Sequence, residues 1–343
     1  MNASVYPITN PDMMDSVRTM GVKRMLRTGD TAVDSGMAFL VGELEKIDPK
    51  IREPLTAVTW SRDIVAKTGG GWVEYTSMMN VDYATPGAND DGIIGGETNA
   101  IPVMQADYGK DIYKVFAFGS ILKIPFVDQA KLQTIGRSLQ DVLDKGVRLN
   151  YQKALDKNVY TGYSRYGSTG LVNDPSITAV SAASTGTGSS TLWSNKTPDN
   201  ILADINKAIN DVWAACQYDL SGMPNHILLP PVQYADLVSR KVSDAGNISV
   251  LKYLEENNVA SNQGVDLVIV PCRQCTGAGT DNKDRMVVYR NEEDKVYFDI
   301  TVPLTRVMTQ PSVNDMAYLT AYAAQHGVVK FAYHETARYV DGI

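Results

Sequence analysis

The sequence predicts an α+β fold, on three observations. Residues 59–122 are rich in β-formers and broken by a glycine-rich turn, residues 127–159 repeat apolar positions at helical spacing, and residues from 197 onward alternate short helical and strand patterns. At 343 residues the chain can bury a sizeable core. Its net charge of −7 excludes a general electrostatic grip on nucleic acid, which needs clustered Lys and Arg.

Residues 1–58 show no single strong period and read as an arm. Within it, 34–47 fits an amphipathic helix with Asp34 as N-cap and Met37, Leu40, Val41 and Leu44 on one stripe, ended by Asp48-Pro49. Residues 59–122 read as a large extended hairpin. Trp72-Val73-Glu74-Tyr75-Thr76 and Asp111-Ile112-Tyr113-Lys114-Val115-Phe116 form its legs, and the stretch from Pro86-Gly87 through Gly95-Gly96 forms its tip. Residues 68–109 hold no Lys or Arg, whereas Glu74, Asp82, Asp90, Asp91, Glu97 and Asp107 are acidic. A two-stranded arm is marginal alone in water. It either folds back on its own domain or lies on a neighbouring subunit, and in the second case Pro86, Asn89, Asp90, Asp91 and Glu97 at the tip are the candidate contacts.

Residues 127–159 read as one long helix of roughly 50 Å. Leu132, Ile135, Leu139, Val142, Leu143, Val147, Tyr151, Ala154 and Leu155 form its stripe, with Gly146 inside as a weak point. Basic residues gather at Arg18, Lys23, Arg24 and Arg27 on the arm and at Arg137, Lys145, Arg148 and Lys153 on this helix. They are either solvated faces or the acceptor patch for a neighbour's acidic hairpin, a pairing that would set register more than affinity.

Residues 181–190 are a Ser/Thr/Gly-rich loop, and residues 198–292 read as an α/β domain. Thr197-Pro198-Asp199 opens a helix with the stripe Ile201, Ile205, Ala208, Ile209, Val212 and Trp213. A strand His226-Ile227-Leu228-Leu229 follows, then helices from Pro230-Pro231 and over 249–257. A continuous apolar strand over 265–270 suits burial on both faces, and further strands cover 286–289 and 296–302. The tail, 293–343, is β-rich with Gly327 as a bend, so it completes a sheet begun before residue 198.

No motif makes an active site. Cys272-Arg273-Gln274-Cys275 lacks the second pair of ligands that structural zinc needs, and it follows a strand rather than opening a helix as a redox pair would. His226, His326 and His334 are isolated; if one strand carried His326 and His334, they would share a face. The glycine stretches at 69–71, 92–96 and 186–188 match no phosphate loop. No catalytic residue, metal or cofactor is expected. Three cysteines form no disulfide framework, which points to a reducing compartment, and neither a secretory signal nor a membrane-length apolar run is read.

The order of these pieces resembles the tailed-bacteriophage major capsid fold, shared with encapsulin shells. Gly170-Leu171-Val172-Asn173 after the long helix looks like the Gly-Leu-Leu-Asn type of turn in these shells. The run from Pro224-Asn225-His226 through Gln233-Tyr234 looks like their entry into the axial domain, most similar to a phage capsid group once classed as a domain of unknown function. The resemblance implies an N-terminal arm (1–58), an extended hairpin loop (59–122) and a peripheral domain with a spine helix (123–197). An axial α/β domain (198–292) and return strands completing the peripheral domain (293–343) would follow. It further implies a virion protein, made in the host cytoplasm, that assembles with itself into hexamers and pentamers of an icosahedral head. The implied partners are portal, scaffolding or decoration proteins and enclosed double-stranded DNA, with no membrane. No coiled-coil segment precedes the arm, so no internal scaffolding domain is read, and no Lys-Glu-Asn crosslinking set is matched. An encapsulin-like compartment shell and an α/β ligand-binding protein or enzyme are the alternatives.

Overall fold

The computed structural model describes residues 56–84, 103–134, 139–243 and 248–343. The expected arm helix and the hairpin tip lie outside them. A short helix α1 (Trp60–Asp63) leads into β1 (Val65–Thr68), which pairs in parallel with β9 (Val296–Ile300). The hairpin is β2 (Tyr75–Ala84) against β3 (Gln105–Lys114), a two-stranded sheet among the described residues. β4 (Phe116–Pro125) starts one residue after β3 but pairs with β11 (Ala317–His326), which also pairs with β10 (Val302–Ser312). The return of the tail to a sheet begun before residue 198 is thus found in β10, β11 and β4.

The region read as one helix is described in two helical stretches, on either side of residues 135–138. α2 spans Phe126–Thr134 and α3 spans Leu139–Thr161, about 35 Å long. Residues 135–138 lie outside the described set. The two halves of α3 serve different cores. Leu143 and Val147 pack on Leu122, Ile124 and Tyr322 of the three-stranded sheet, while Tyr151, Leu155, Val159 and Tyr160 enter the main core with Trp60 and Phe298. Val142, expected on the stripe, is exposed.

The Gly170-Leu171-Val172-Asn173 turn caps α3. The last carbonyls of a helix have no partner of their own. Here Leu171 N donates to Val159 O (2.8 Å), Val172 N to Tyr160 O (3.1 Å) and Asn173 Nδ2 to Thr161 O (3.0 Å). The approach is so close that a Cβ on Gly170 would sit 2.5 Å from the Tyr160 carbonyl carbon and oxygen.

A five-stranded sheet orders β5 (Ala179–Ser181), β13 (Ala337–Asp341), β8 (Arg285–Tyr289), β6 (His226–Leu229) and β7 (Val268–Pro271). Strands β6 and β8 are buried along their whole length because they face two cores. Leu228, Val287 and Tyr289 point to the core shared with α3, and Ile227, Leu229, Met286 and Val288 to a second core under α4 (Pro198–Ala215), α5 (Pro231–Ser239) and α6 (Val250–Glu256). Helix α4 forms as its stripe predicts: Thr197 Oγ1 accepts from Asn200 N at 3.3 Å, and Ile201, Ile205, Ala208, Ile209 and Val212 are buried.

One expectation changes in this sheet. Strand β7 is an edge strand with Val268 exposed, so burial on both faces holds only for part of it. The final strand, by pairing with β5, also completes a sheet begun before residue 198. Strand β13 sits between β5 and β8, with Tyr339 in one core and Val340 in the other. Its buried pattern fits a central position flanked by two cores.

Candidate assembly interface

The hairpin register sorts its side chains into two unlike faces. Tyr75, Met79, Val81 and Tyr83 of β2 share a face with Tyr108 and Ile112 of β3, because Tyr75 opposes Lys114, Ser77 opposes Ile112 and Val81 opposes Tyr108. All of these large apolar side chains are exposed. The other face carries Asp82 directly opposite Asp107, and Asp111 accepts from Asn80 Nδ2 at 2.7 Å. Like charges directly opposed destabilise a ladder. Sequence reading found the acidity and missed the apolar face; the alternation Tyr75, Ser77, Met79, Val81, Tyr83 was its signal.

Beside it, the three-stranded sheet turns its helix-free face outward. Leu122 points to α3, so its neighbour Ile121 points away, in one row with Ala321 and Met308. Gly119 opposes Ala323 on the same face, and Ile121 and Met308 are exposed. Gly119, Ala321 and Ala323 place small side chains around the exposed Ile121 and Met308 on this face.

The expected contact residues divide by location. Pro86, Asn89, Asp90, Asp91 and Glu97, like Arg18, Lys23, Arg24, Arg27 and Arg137, lie outside the described residues. Lys145, Arg148 and Lys153 are exposed on α3. Arg148 Nε donates to Asp144 Oδ2 at 2.9 Å, and Tyr322 OH donates to Asp144 Oδ1 at 2.5 Å. Those hydrogen bonds hold the Asp144 carboxyl below its usual range.

A buried polar junction, unforeseen from sequence, ties the segment before the hairpin to the body. Asp63, fully buried, accepts from Arg62 Nε at 2.5 Å and from Tyr160 OH, and it lies 3.4 Å from His226 Nε2. Tyr289 OH donates to its carbonyl. Burial pushes the Asp63 carboxyl up, but the hydrogen bonds from His226, Arg62 and Tyr160 outweigh it and hold it low. Asp156 Oδ1 accepts from Thr59 N (2.9 Å) and Trp60 N (3.1 Å), so α3 grips the same segment twice.

Among the described residues, the cysteines and histidines singled out from the sequence do not come together. Cys272 and Cys275 are buried free thiols on a short 3₁₀ turn, and a hydrogen bond with Cys272 together with burial pushes the Cys275 thiol well up, which disfavours the reactive thiolate. His326 ends β11 whereas His334 opens a 3₁₀ turn, so the two share no strand. Among the described residues no His, Cys, Asp and Glu group could hold a metal ion, and no helix is long and apolar enough to cross a membrane.

The sequence model of the major capsid protein family matches residues 90–343, most of the chain. The chain belongs to the major capsid protein family. It is a major capsid subunit, a structural protein of the virion. Solved structures of similar fold include the capsid of Myoviridae phage XM1, with a TM-score of 0.72 and 16% identity over 88% of this chain and 98% of that one. Microbacterium phage Oxtober96 gives a TM-score of 0.56 and 14% identity, covering 89% of this capsid protein and 97% of that chain. The capsid of a native GTA particle gives 0.57 and 9%, covering 87% and 94%. No curated protein sequence matches the capsid protein significantly. The fold is that of phage capsids.

Proposed function

We propose that copies of this capsid protein clasp one another through the hairpin, closing an icosahedral head of pentamers and hexamers around double-stranded DNA. The observation that carries the reading is the exposed apolar face of Tyr75, Met79, Val81, Tyr83, Tyr108 and Ile112 on a ribbon that, among the described residues, has no third strand. Exposed apolar area of this kind marks a surface that another molecule covers. A second copy fits, because every copy carries both the apolar ribbon and the outer face around Gly119, Ile121, Ala321 and Ala323. Contacts between two different patches generate rings and closed shells.

In this reading the acidic tip, Pro86, Asn89, Asp90, Asp91 and Glu97, meets cations of the neighbour. The acceptor patch is Arg137, Lys145, Arg148 and Lys153, with Arg18, Lys23, Arg24 and Arg27 of the arm. Residues 1–58 act as the arm, 59–122 as the extended loop, 123–197 with 293–343 as the peripheral domain and 198–292 as the axial domain, β13 crossing between the last two. A net charge of −7 suits a wall that encloses DNA without gripping it. The subunit is made in the host cytoplasm, catalyses nothing, and meets portal, scaffolding or decoration proteins during head assembly.

The double variant Asp90→Lys/Asp91→Lys tests the clasp. The expected outcome is a soluble subunit that forms few particles by electron microscopy, and normal particles overturn the acidic contact. Nuclease-resistant DNA inside wild-type particles supports a genome container; protein cargo in its place supports a compartment shell.

A further inference from the structure

The two legs of the hairpin are joined to the body very differently. On one side β3 runs into β4 with only Val115 between them, and Val115 is buried. Phe116 is held edge-on to Tyr163 at 5.1 Å between centroids. That leg is continuous strand on a fixed sheet. On the other side β1 ends at Thr68, and Gly69, Gly70 and Gly71 follow with φ of +125°, +109° and +72°. An added Cβ would meet nothing within 4 Å at Gly69 or Gly71. Packing therefore does not require glycine at those two positions, but the backbone conformation favours it. Such a run offers little resistance to rotation about the leg.

Immediately beyond this run, one side chain holds the backbone. Gln325 Oε1 accepts from Val73 N at 3.1 Å, and Gln325 Nε2 donates to Val73 O at 2.5 Å. The amide thus pairs with Val73 as a neighbouring strand would. Thr301 Oγ1 fixes the amide by donating to Gln325 Oε1 at 3.1 Å, and both Gln325 and Thr301 are buried. The first rung between the legs follows at once, from Val115 N to Glu74 O at 3.3 Å.

We propose that Gln325 is a latch setting the angle of the hairpin: its amide clamps Val73 just past a three-glycine swivel, and its release frees that leg to pivot. The hairpin is then a strap whose β2 leg hinges on Gly69–71 and is held by Gln325, while its β3 leg stays fixed to β4, with Lys330 over the Tyr113 ring. The latch is a property of the single subunit and stands apart from what the hairpin contacts.

Hydrogen exchange on the unassembled full chain tests it, with Gln325→Glu and Gln325→Leu. At about pH 8 a carboxylate cannot donate to Val73 O and repels it, so the Glu variant should lose about tenfold protection in peptides spanning 72–84. Strands β6 and β8 should keep theirs. At about pH 5 the buried carboxyl regains its proton and donor, and protection in the Glu variant should return, whereas the Leu variant stays open at both. Thr301→Val should show a smaller loss at the same place. Unchanged protection over 72–84 in both Gln325 variants overturns the latch. So does a uniform loss across the chain, or a Glu variant indifferent to pH. Particle yield plays no part in the readout, so failure of the latch and failure of the clasp are separately visible.

Discussion

Replacing Tyr83 and Tyr108 by Ser should raise the concentration needed for assembly and leave the subunit intact. Both rings sit on the apolar face of the ribbon, 73% and 70% exposed, so the folded monomer loses almost no packing. The expected cost to subunit stability is within about 0.5 kcal/mol. In an assembled contact the same rings are covered. An aromatic side chain offers roughly 200 Å² for burial, so the exposed seven-tenths is about 140 Å² per ring. At about 25 cal/mol per Å² that is roughly 3.5 kcal/mol per ring if burial is complete. Halving it for incomplete cover leaves about 1.8 kcal/mol each, or about 3.5 kcal/mol per contact, on the order of several hundredfold in its equilibrium constant. Sedimentation of subunit against concentration reads the threshold for particle formation, and urea unfolding of the same preparation reads stability. The threshold should rise by at least about a hundredfold while the urea midpoint stays in place. A variant that assembles at the wild-type threshold refutes the buried ribbon.

Three other perturbations address the body. Gly170→Ala drives a Cβ to 2.5 Å from the Tyr160 carbonyl and should cost more than about 2 kcal/mol, read as a lowered thermal midpoint; an unchanged midpoint contradicts the cap. Arg285 Nε and Nη2 donate to the two oxygens of Asp341 at 2.6 and 2.9 Å inside the protein. Arg285→Met should destabilise by about 3–5 kcal/mol, and Arg285→Met/Asp341→Leu should recover most of that in urea titrations. Burial holds the His326 imidazole down at about 4, below its ordinary 6.5. Between those values the unfolded chain binds the proton and the folded one does not, so stability falls as pH drops through that window, by about 1.4 kcal/mol per unit. His326→Phe should flatten that part of the pH profile; an equally steep profile in the variant assigns the slope to other groups.

The uneven legibility of the interface has a plain cause. Acidity is counted directly along a segment, so the cation-free run was visible at once. The apolar face is not, because it needs the register. Tyr108 and Ile112 fall beside Val81 and Ser77 only in the pairing that places Tyr75 opposite Lys114, and a slip by one residue would scatter them to the other side. The latch was hidden for a stronger reason. Gln325 and Val73 stand 252 positions apart, and nothing in either neighbourhood marks the pairing.

What the sequence alone determined is the set of local elements whose patterns repeat within a few residues. The stripe of α4 with its Thr197 cap, the strands β6 and β8, and the turn after α3 all appeared where expected. Only the tertiary structure decided which strands meet: β1 alongside β9, β13 between β5 and β8, and β4 joined to β11 rather than to the hairpin. A helix satisfies its backbone from its own neighbours, so its signal is local. A strand must borrow its hydrogen bonds from a distant segment, and which one lends them depends on burial that no short stretch of sequence encodes.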